Sequence, residues 1–370
     1  MKPDHLTRRQ LNRATLARQL LLQRSATPTI KAVEHLVGLQ SQAPLAHYVG
    51  LWSRLTSFDP VEAGALLERG ELVRTHAMRA TVHLFSREDA LRVRALTRPM
   101  LAARFASSPF PKQLPGVDLD AVCRRAREVA TDEAIGRVEL GRRLSEQFTG
   151  VDQDALAYAV TYLEPMVQVP PRGVWGKRGP VRWQTFRGWL GMDADEPAIV
   201  DDVVLRYLGA FGPASVADMR IWSGLPGLRE VADRLRPRLR VFVDDGGREL
   251  LDLPQAPRPG GDIPAPVRFL PEYDNVLLSH QDRSRVIPDR RTVPLPPGEG
   301  TRAGTVLVDG DFRATWRLAL HDDIATLTVT ATPPLSPAED RDVQAEAYRL
   351  LAFLAPAAIA TTVVLNTGET

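Results

Sequence analysis

The stretch from Phe211 to Leu253 reads FGPASVADMRIWSGLPGLREVADRLRPRLRVFVDDGGRELLDL. Ser215 is placed to cap a short helix in which Val216, Met219 and Trp222 recur at helical spacing, and Gly224 with Pro226 breaks it. A second helix, Leu228 to Leu235, sets Leu228, Val231, Ala232 and Leu235 on one face before Pro237 stops it. Leu239 to Val243 and Glu249 to Leu253 predict two strands across Asp244-Asp245-Gly246-Gly247, which supplies the positive-φ residues of a hairpin turn. Helix, turn, helix and two-stranded wing is the order of a winged helix. Such modules bind duplex DNA more often than they serve protein contacts alone.

Upstream, the same order recurs more loosely. Val138 to Phe148 and Asp154 to Leu163 predict helices, followed by strands at Met166 to Val169 and Val181 to Thr185 around a tip at Pro170 to Gly179. Nearer the start, helices at Arg13 to Leu22, Thr29 to Leu39 and Val61 to Arg69 precede extended segments at Leu72 to His76 and Thr81 to Phe85. After Pro254 the composition changes to a Pro/Gly linker and then strands at Val267 to Leu270, Asn275 to Leu278, Thr305 to Val308, Ala314 to Leu320 and Ile324 to Ala331. Asp309-Gly310-Asp311 marks a hairpin, Ser336 with Glu339 a capping box, and Leu365 a final strand. The expected fold is α+β: three tandem winged helix-turn-helix units at 1–110, 111–195 and 196–254, then a C-terminal β-barrel-like domain at 255–370.

Composition narrows the function. The chain of 370 residues is 44% hydrophobic and 25% charged, an ordinary globular balance that excludes disordered and collagen-like architectures. Its longest apolar runs fall short of the roughly 20 residues that span a bilayer, and Met1 to Gln23 is basic and amphipathic without a signal-peptide core. The expected location is cytoplasmic. Cys123 is the one cysteine, so an internal disulfide or a thiolate zinc cluster is excluded. The histidines show no HExxH or HxH spacing and no P-loop or GxGxxG is present, so neither a metal nor a nucleotide cofactor is expected.

Net charge is only +2, yet basic residues gather in acid-free stretches at 5–33, 90–117 and 165–192. The last interleaves Arg172, Lys177, Arg178, Arg182 and Arg187 with Trp175, Trp183 and Trp189. Such stripes suit phosphates. They also suit a solvated face in a chain that uses four lysines against 43 arginines, a bias of GC-rich coding.

Three segments can carry chemistry. Pro44 disfavours helical geometry at Ala43, so the helix begun at Thr29 should relax around Gln40-Ser41-Gln42. Extended or terminating backbone can turn both amides to one side, where they hold a water; the alternative is a helix C-cap facing solvent. His76, Arg79 and His83 fall near a strand turn, either touching a ligand or packing internally. Glu272 to Asn275 and Ser279 to Arg283 offer carboxylates, a hydroxyl and an imidazole, or a loop that anchors the sheet.

Leu39-Gln40-Ser41-Gln42-Ala43-Pro44, Arg74 to Leu84, and Leu270 to His280 together resemble the bacterial winged-helix DNA glycosylases of the AlkZ and YcaQ family, in the same order and over nearly the whole chain. The resemblance implies a C-shaped molecule with a basic concave channel. It also implies that Gln40 and Gln42 are catalytic, in the manner of the AlkZ branch, which protects producers of DNA-alkylating natural products such as azinomycin B. Ser41 departs from the family's apolar middle residue. The implied activity is monofunctional, metal-independent hydrolysis of the N-glycosidic bond of cationic N7- or N3-alkylated purines, bulky adducts and interstrand crosslinks included. The partner is damaged duplex DNA in the nucleoid, with no obligate protein partner. A β-hairpin reaching into the groove is implied too, with Thr305 to Leu320 and the loop Asp282 to Thr292 as candidates. Arg79, Lys177, Arg178, Arg285 and Arg313 are the expected phosphate contacts. The alternative is a non-catalytic winged-helix regulator or lesion-binding protein.

Overall fold

The computed structural model of the chain describes residues 4–289 and 303–368. Between Phe211 and Leu253 the helix Val216–Ser223 starts at Ser215 with a full capping box to Asp218 and ends at Gly224 in the left-handed region. The helix Leu228–Leu235 follows, and Arg240–Asp244 pairs antiparallel with Glu249–Asp252. This unit has the winged-helix order read from its sequence. Its wing gains a third strand, because Asp4–Leu6 adds in parallel to Arg240–Asp244. The N-terminus is tied there again by Arg18, whose guanidinium forms a fully buried two-point bond with Asp252 at 2.6 and 2.8 Å.

The other two hairpins do not stand as separate wings. Leu72–His76 pairs with Val82–Ser86, Met166–Gln168 pairs with Arg182–Thr185, and Thr75 pairs with Val167 across them. The Thr75 hydroxyl adds a bond to the Met166 carbonyl at 2.8 Å. The result is one six-stranded sheet that crosses from the first helical unit into the second, with Leu39–Gln40 at one edge and Ile135–Gly136 at the other. Residues 39–40 therefore lie on the rim of a sheet whose faces the helices cover.

The C-terminal sheet departs from the barrel expected of it. Its five strands run in the order Arg268–Leu270, Gly304–Val308, Asp311–His321, Ile324–Ala331, Ala360–Thr367, and the first and last do not pair, so no barrel closes among the described residues. The reason lies in the crossover helix Pro337–Leu354, capped by Ser336 and Glu339, which returns the chain to a parallel edge strand. Val343, Ala347, Leu350 and Leu351 of that helix join Val306, Leu327 and Val329 in one core, so the sheet buries its apolar face without closing on itself.

Two further expectations change. Asn275–Leu278 is a helical turn capped by Asp274, not a strand. The turn at Asp309 and Gly310 closes a hairpin as expected but docks on the helix Arg8–Arg18: Asn12 Nδ2 donates to the Gly310 carbonyl at 2.8 Å and Arg9 Nη2 to Asp309 at 2.9 Å. That hairpin tip is held by protein. Arg290, Arg291 and Thr292 of the other candidate loop lie outside the described residues. No described helix is long and apolar enough to cross a membrane.

Candidate active site

The helix Thr29–His35 ends at Leu36, and Val37 and Gly38 follow with φ of 54° and 86°. The reversal needs glycine at its second position, since a Cβ on Gly38 would sit 2.3 Å from a ring carbon of Phe85. The chain leaves this turn extended: Leu39 pairs with Leu84, Gln40 with His83, and Ser41 N–H donates to the Val82 carbonyl at 2.8 Å. Residues two apart on extended backbone share a side. Gln40 and Gln42 accordingly flank a buried Ser41, and they do not cap the helix.

Both amides turn to the hairpin that closes at Arg79. Arg79 Nη2 donates to Gln40 Oε1 at 2.9 Å, and Val82 N–H donates to Gln42 Oε1 at 3.0 Å. A guanidinium and a backbone N–H can only donate, which settles which end of each amide faces the protein. Each side chain keeps its Nε2 group and a second lone pair on Oε1. Gln40 is 6% exposed, whereas Gln42 is open to solvent.

The support below is polar. Arg74 clamps Ser41 twice, Nε to the hydroxyl at 3.1 Å and Nη2 to the carbonyl at 2.8 Å, and the same hydroxyl lies 2.8 Å from His47 Nδ1. Burial holds His47 neutral, far below the usual imidazole range, with Arg74 adding to the effect. Burial also pulls Arg74 down to about 10, with Arg172 contributing. From the C-terminal side, Asn275 Nδ2 donates to the Gly38 carbonyl at 2.8 Å and its Oδ1 accepts from Gln40 N–H at 3.4 Å. Next to it, Asp274 binds Arg54 at 2.8 and 2.9 Å with both side chains fully buried. The three sequence segments that carry the resemblance thus meet at one place.

A family model described as DNA glycosylase AlkZ-like matches residues 33–353. The chain belongs to this family. The AlkZ-like chain is a DNA glycosylase, and the matched span includes every residue placed around the glutamines. It is similar to an interstrand DNA cross-link repair glycosylase of Streptomyces sahachiroi, at 25% identity over 350 residues that cover 86% of this chain and 90% of that protein. In fold it is similar to the solved S. sahachiroi DNA glycosylase AlkZ, with a TM-score of 0.70 at 20% identity over 98% of this chain and 100% of the other.

The remaining expected residues of this AlkZ-like glycosylase take different places. His83 joins the site, with Nε2 3.2 Å from Arg79 Nη2 and Nδ1 3.0 Å from the Thr81 carbonyl; burial and Arg79 lower it to about 3. His76 packs instead between units, stacked on Trp183 at 5.1 Å and Tyr162 at 6.3 Å. Lys177 and Arg178 stand at an exposed tip, Lys177 bonded to Glu68. Both line a surface cavity of about 490 Å³ that begins at Ala43 and Pro44, directly after Gln42, and includes Arg172 and Glu272. Arg285 is 5% exposed and donates to Thr15 Oγ1 and the Pro213 carbonyl. Arg313 pairs with Glu339 at 2.5 Å. These last two guanidiniums are taken up by the protein itself. Among the described residues, no three His, Cys, Asp or Glu side chains form a metal cage.

Sequence reasoning missed His47 and left Arg74 without a role. His47 lies beyond Pro44, where no helical or strand period links it to Ser41. Arg74 sits inside a recognised segment, but only the fold shows its side chain running under the glutamines.

Proposed function

We propose that Gln40 and Gln42 are the catalytic pair of a monofunctional glycosylase. It hydrolyses the N-glycosidic bond of cationic N7- or N3-alkylated purines in duplex DNA, bulky adducts and interstrand crosslinks among them. The setting would be the chromosome, in a cytoplasm exposed to a DNA-alkylating natural product. The observation that carries the reading is the pair of amides whose oxygens are both turned to one strand turn by obligate donors, with no carboxylate between them.

The chemistry follows from the substrate. Alkylation puts a positive charge on the purine, so when the bond between C1′ and nitrogen breaks, its electron pair neutralises the base and no general acid is needed. What remains is to orient water as C1′ gains oxocarbenium character. Gln42 Oε1 has a second lone pair that can accept one water proton, leaving the water's own lone pair for C1′; the displaced proton passes to solvent. Gln40, its oxygen already bonded to a cation, offers the weaker acceptor and presents Nε2. Arg178 and Lys177 are proposed phosphate contacts at the rim of the cavity beside Gln42. Arg285 and Arg313 are not carried forward in that role.

The test is substrate charge. Duplexes holding N7-methylguanine should lose the free base under multiple turnover, whereas duplexes holding uracil or another uncharged lesion should not. Comparable release of both classes contradicts the reading.

A further inference from the structure

Arg79 lies in the turn Met78 to Thr81 that closes the hairpin between Leu72–His76 and Val82–Ser86, with Thr81 N–H donating to the Met78 carbonyl at 3.3 Å. Its two central residues, Arg79 and Ala80, both have φ of 57°. Asn-Gly meets that condition at low cost; an arginine and an alanine meet it under strain. Strain of this kind persists where surrounding contacts enforce it. Here the contacts are those of the guanidinium, which reaches three acceptors from three parts of the chain. Nη1 donates to the Trp222 carbonyl at 2.6 Å, Nη2 to Gln40 Oε1 at 2.9 Å, and Nη2 lies 3.2 Å from His83 Nε2. His83 Nδ1 faces the Thr81 carbonyl, so Nδ1 carries the proton and Nε2 is the acceptor. Among the described residues no carboxylate pairs with Arg79. A half-buried cation held only by neutral acceptors is unfavourable for folding alone.

We propose that Arg79 is a positioning residue for Gln40: it fixes the amide with Oε1 toward the guanidinium and Nε2 toward substrate, and its bond to Trp222 makes that orientation depend on the seating of the third helical unit. The proposal rests on the reading of Gln40 as catalytic. It replaces the phosphate contact expected of Arg79 from sequence.

The experiment measures single-turnover base release at saturating enzyme, with the Kd for the same N7-methylguanine duplex. The variants are Arg79→Ala, Arg79→Lys, Gln40→Ala and the double variant Arg79→Ala/Gln40→Ala. Arg79→Ala should lose about 100-fold in rate with Kd unchanged, and added guanidinium ion should restore part of that rate. The double variant should be no slower than Gln40→Ala and should not respond to guanidinium, because a residue acting through another has no separate effect once its target is gone. Arg79→Lys keeps the charge but cannot span Trp222 and Gln40; it should fold, as a cooperative thermal transition checks, and still lose rate, which preserves the test should the alanine variant misfold. A weakened Kd at an unchanged saturating rate would mark a phosphate contact and overturn the proposal. Losses that multiply in the double variant, or a lysine variant at the wild-type rate, overturn it as well. A Gln40→Ala variant at the wild-type rate defeats the catalytic reading itself, a separate outcome.

Discussion

Ser41 Oγ lies 2.8 Å from His47 Nδ1, with both side chains buried. A serine between the two glutamines therefore has its own place in the interior: it donates to a neutral imidazole and accepts from Arg74. Replacing it by alanine strands two buried groups. Ser41→Ala should cost about 1–3 kcal/mol of stability and slow base release through loss of the clamp. Urea unfolding of both proteins checks this; an unchanged midpoint would show that the network is not needed.

Asp274 and Arg54 form a second buried support, one residue from the Asn275 that braces Gly38 and Gln40. Asp274→Ala leaves the guanidinium buried and unpaired, so a loss of about 3–5 kcal/mol is expected. A loss below about 1 kcal/mol in denaturant unfolding would mean the pair is dispensable.

Stability should fall on acidification below neutral pH. Burial lowers His76 to about 4, His83 to about 3 and His280 to about 3, and holds His47 well below its usual range. As pH falls through about 6.5 the unfolded chain takes up protons at these histidines and the folded chain does not, which disfavours folding by about 1.4 kcal/mol per pH unit for each such proton. Glu164 opposes this: burial pushes it up to about 7, so its contribution to folding is present at low pH and lost as pH rises through that value. Four depressed histidines outweigh one raised carboxyl. The urea midpoint should be lower at pH 5 than at pH 7, and an equal or higher midpoint contradicts the assignment of neutral histidines.

Arginines placed at the surface and arginines used inside should separate in a salt titration. Arg178→Ala should reduce the slope of log K for duplex binding against log salt by about 0.9, the value for one phosphate. Arg285→Ala should leave that slope alone and lower Tm, because its partners are Thr15 and Pro213. The reverse pattern would return Arg285 to the DNA surface.

Much of the fold was legible where local signals agree. Ser215, Gly224, Pro237 and the Asp244 to Gly247 turn each mark a boundary, and together they mark a winged helix. The Ser336 and Glu339 capping box was equally plain. Asn275–Leu278 misled because four residues, three of them apolar, cannot show a period, and its helical turn depends on capping by Asp274. Closure of the C-terminal sheet was not readable either, since alternation along a strand tells which face is buried and not what covers it. At the site, Gln40 to Gln42 do leave helical geometry, but the helix expected to reach Leu39 stops at His35, ended by the Val37-Gly38 reversal and not by Pro44. Charge was the weaker guide: Arg178 lies in the basic run at 165–192 and faces solvent, whereas Arg285 and Arg313 are taken up by partners that only the fold reveals.

The central claim is that two uncharged amides suffice to hydrolyse the bond of an already cationic purine. Its most direct test is single-turnover release of N7-methylguanine by the Gln40→Ala/Gln42→Ala protein at saturating concentration, with duplex binding measured alongside. The rate should fall by about 100- to 10,000-fold at an unchanged Kd. Release at the wild-type rate would contradict the claim.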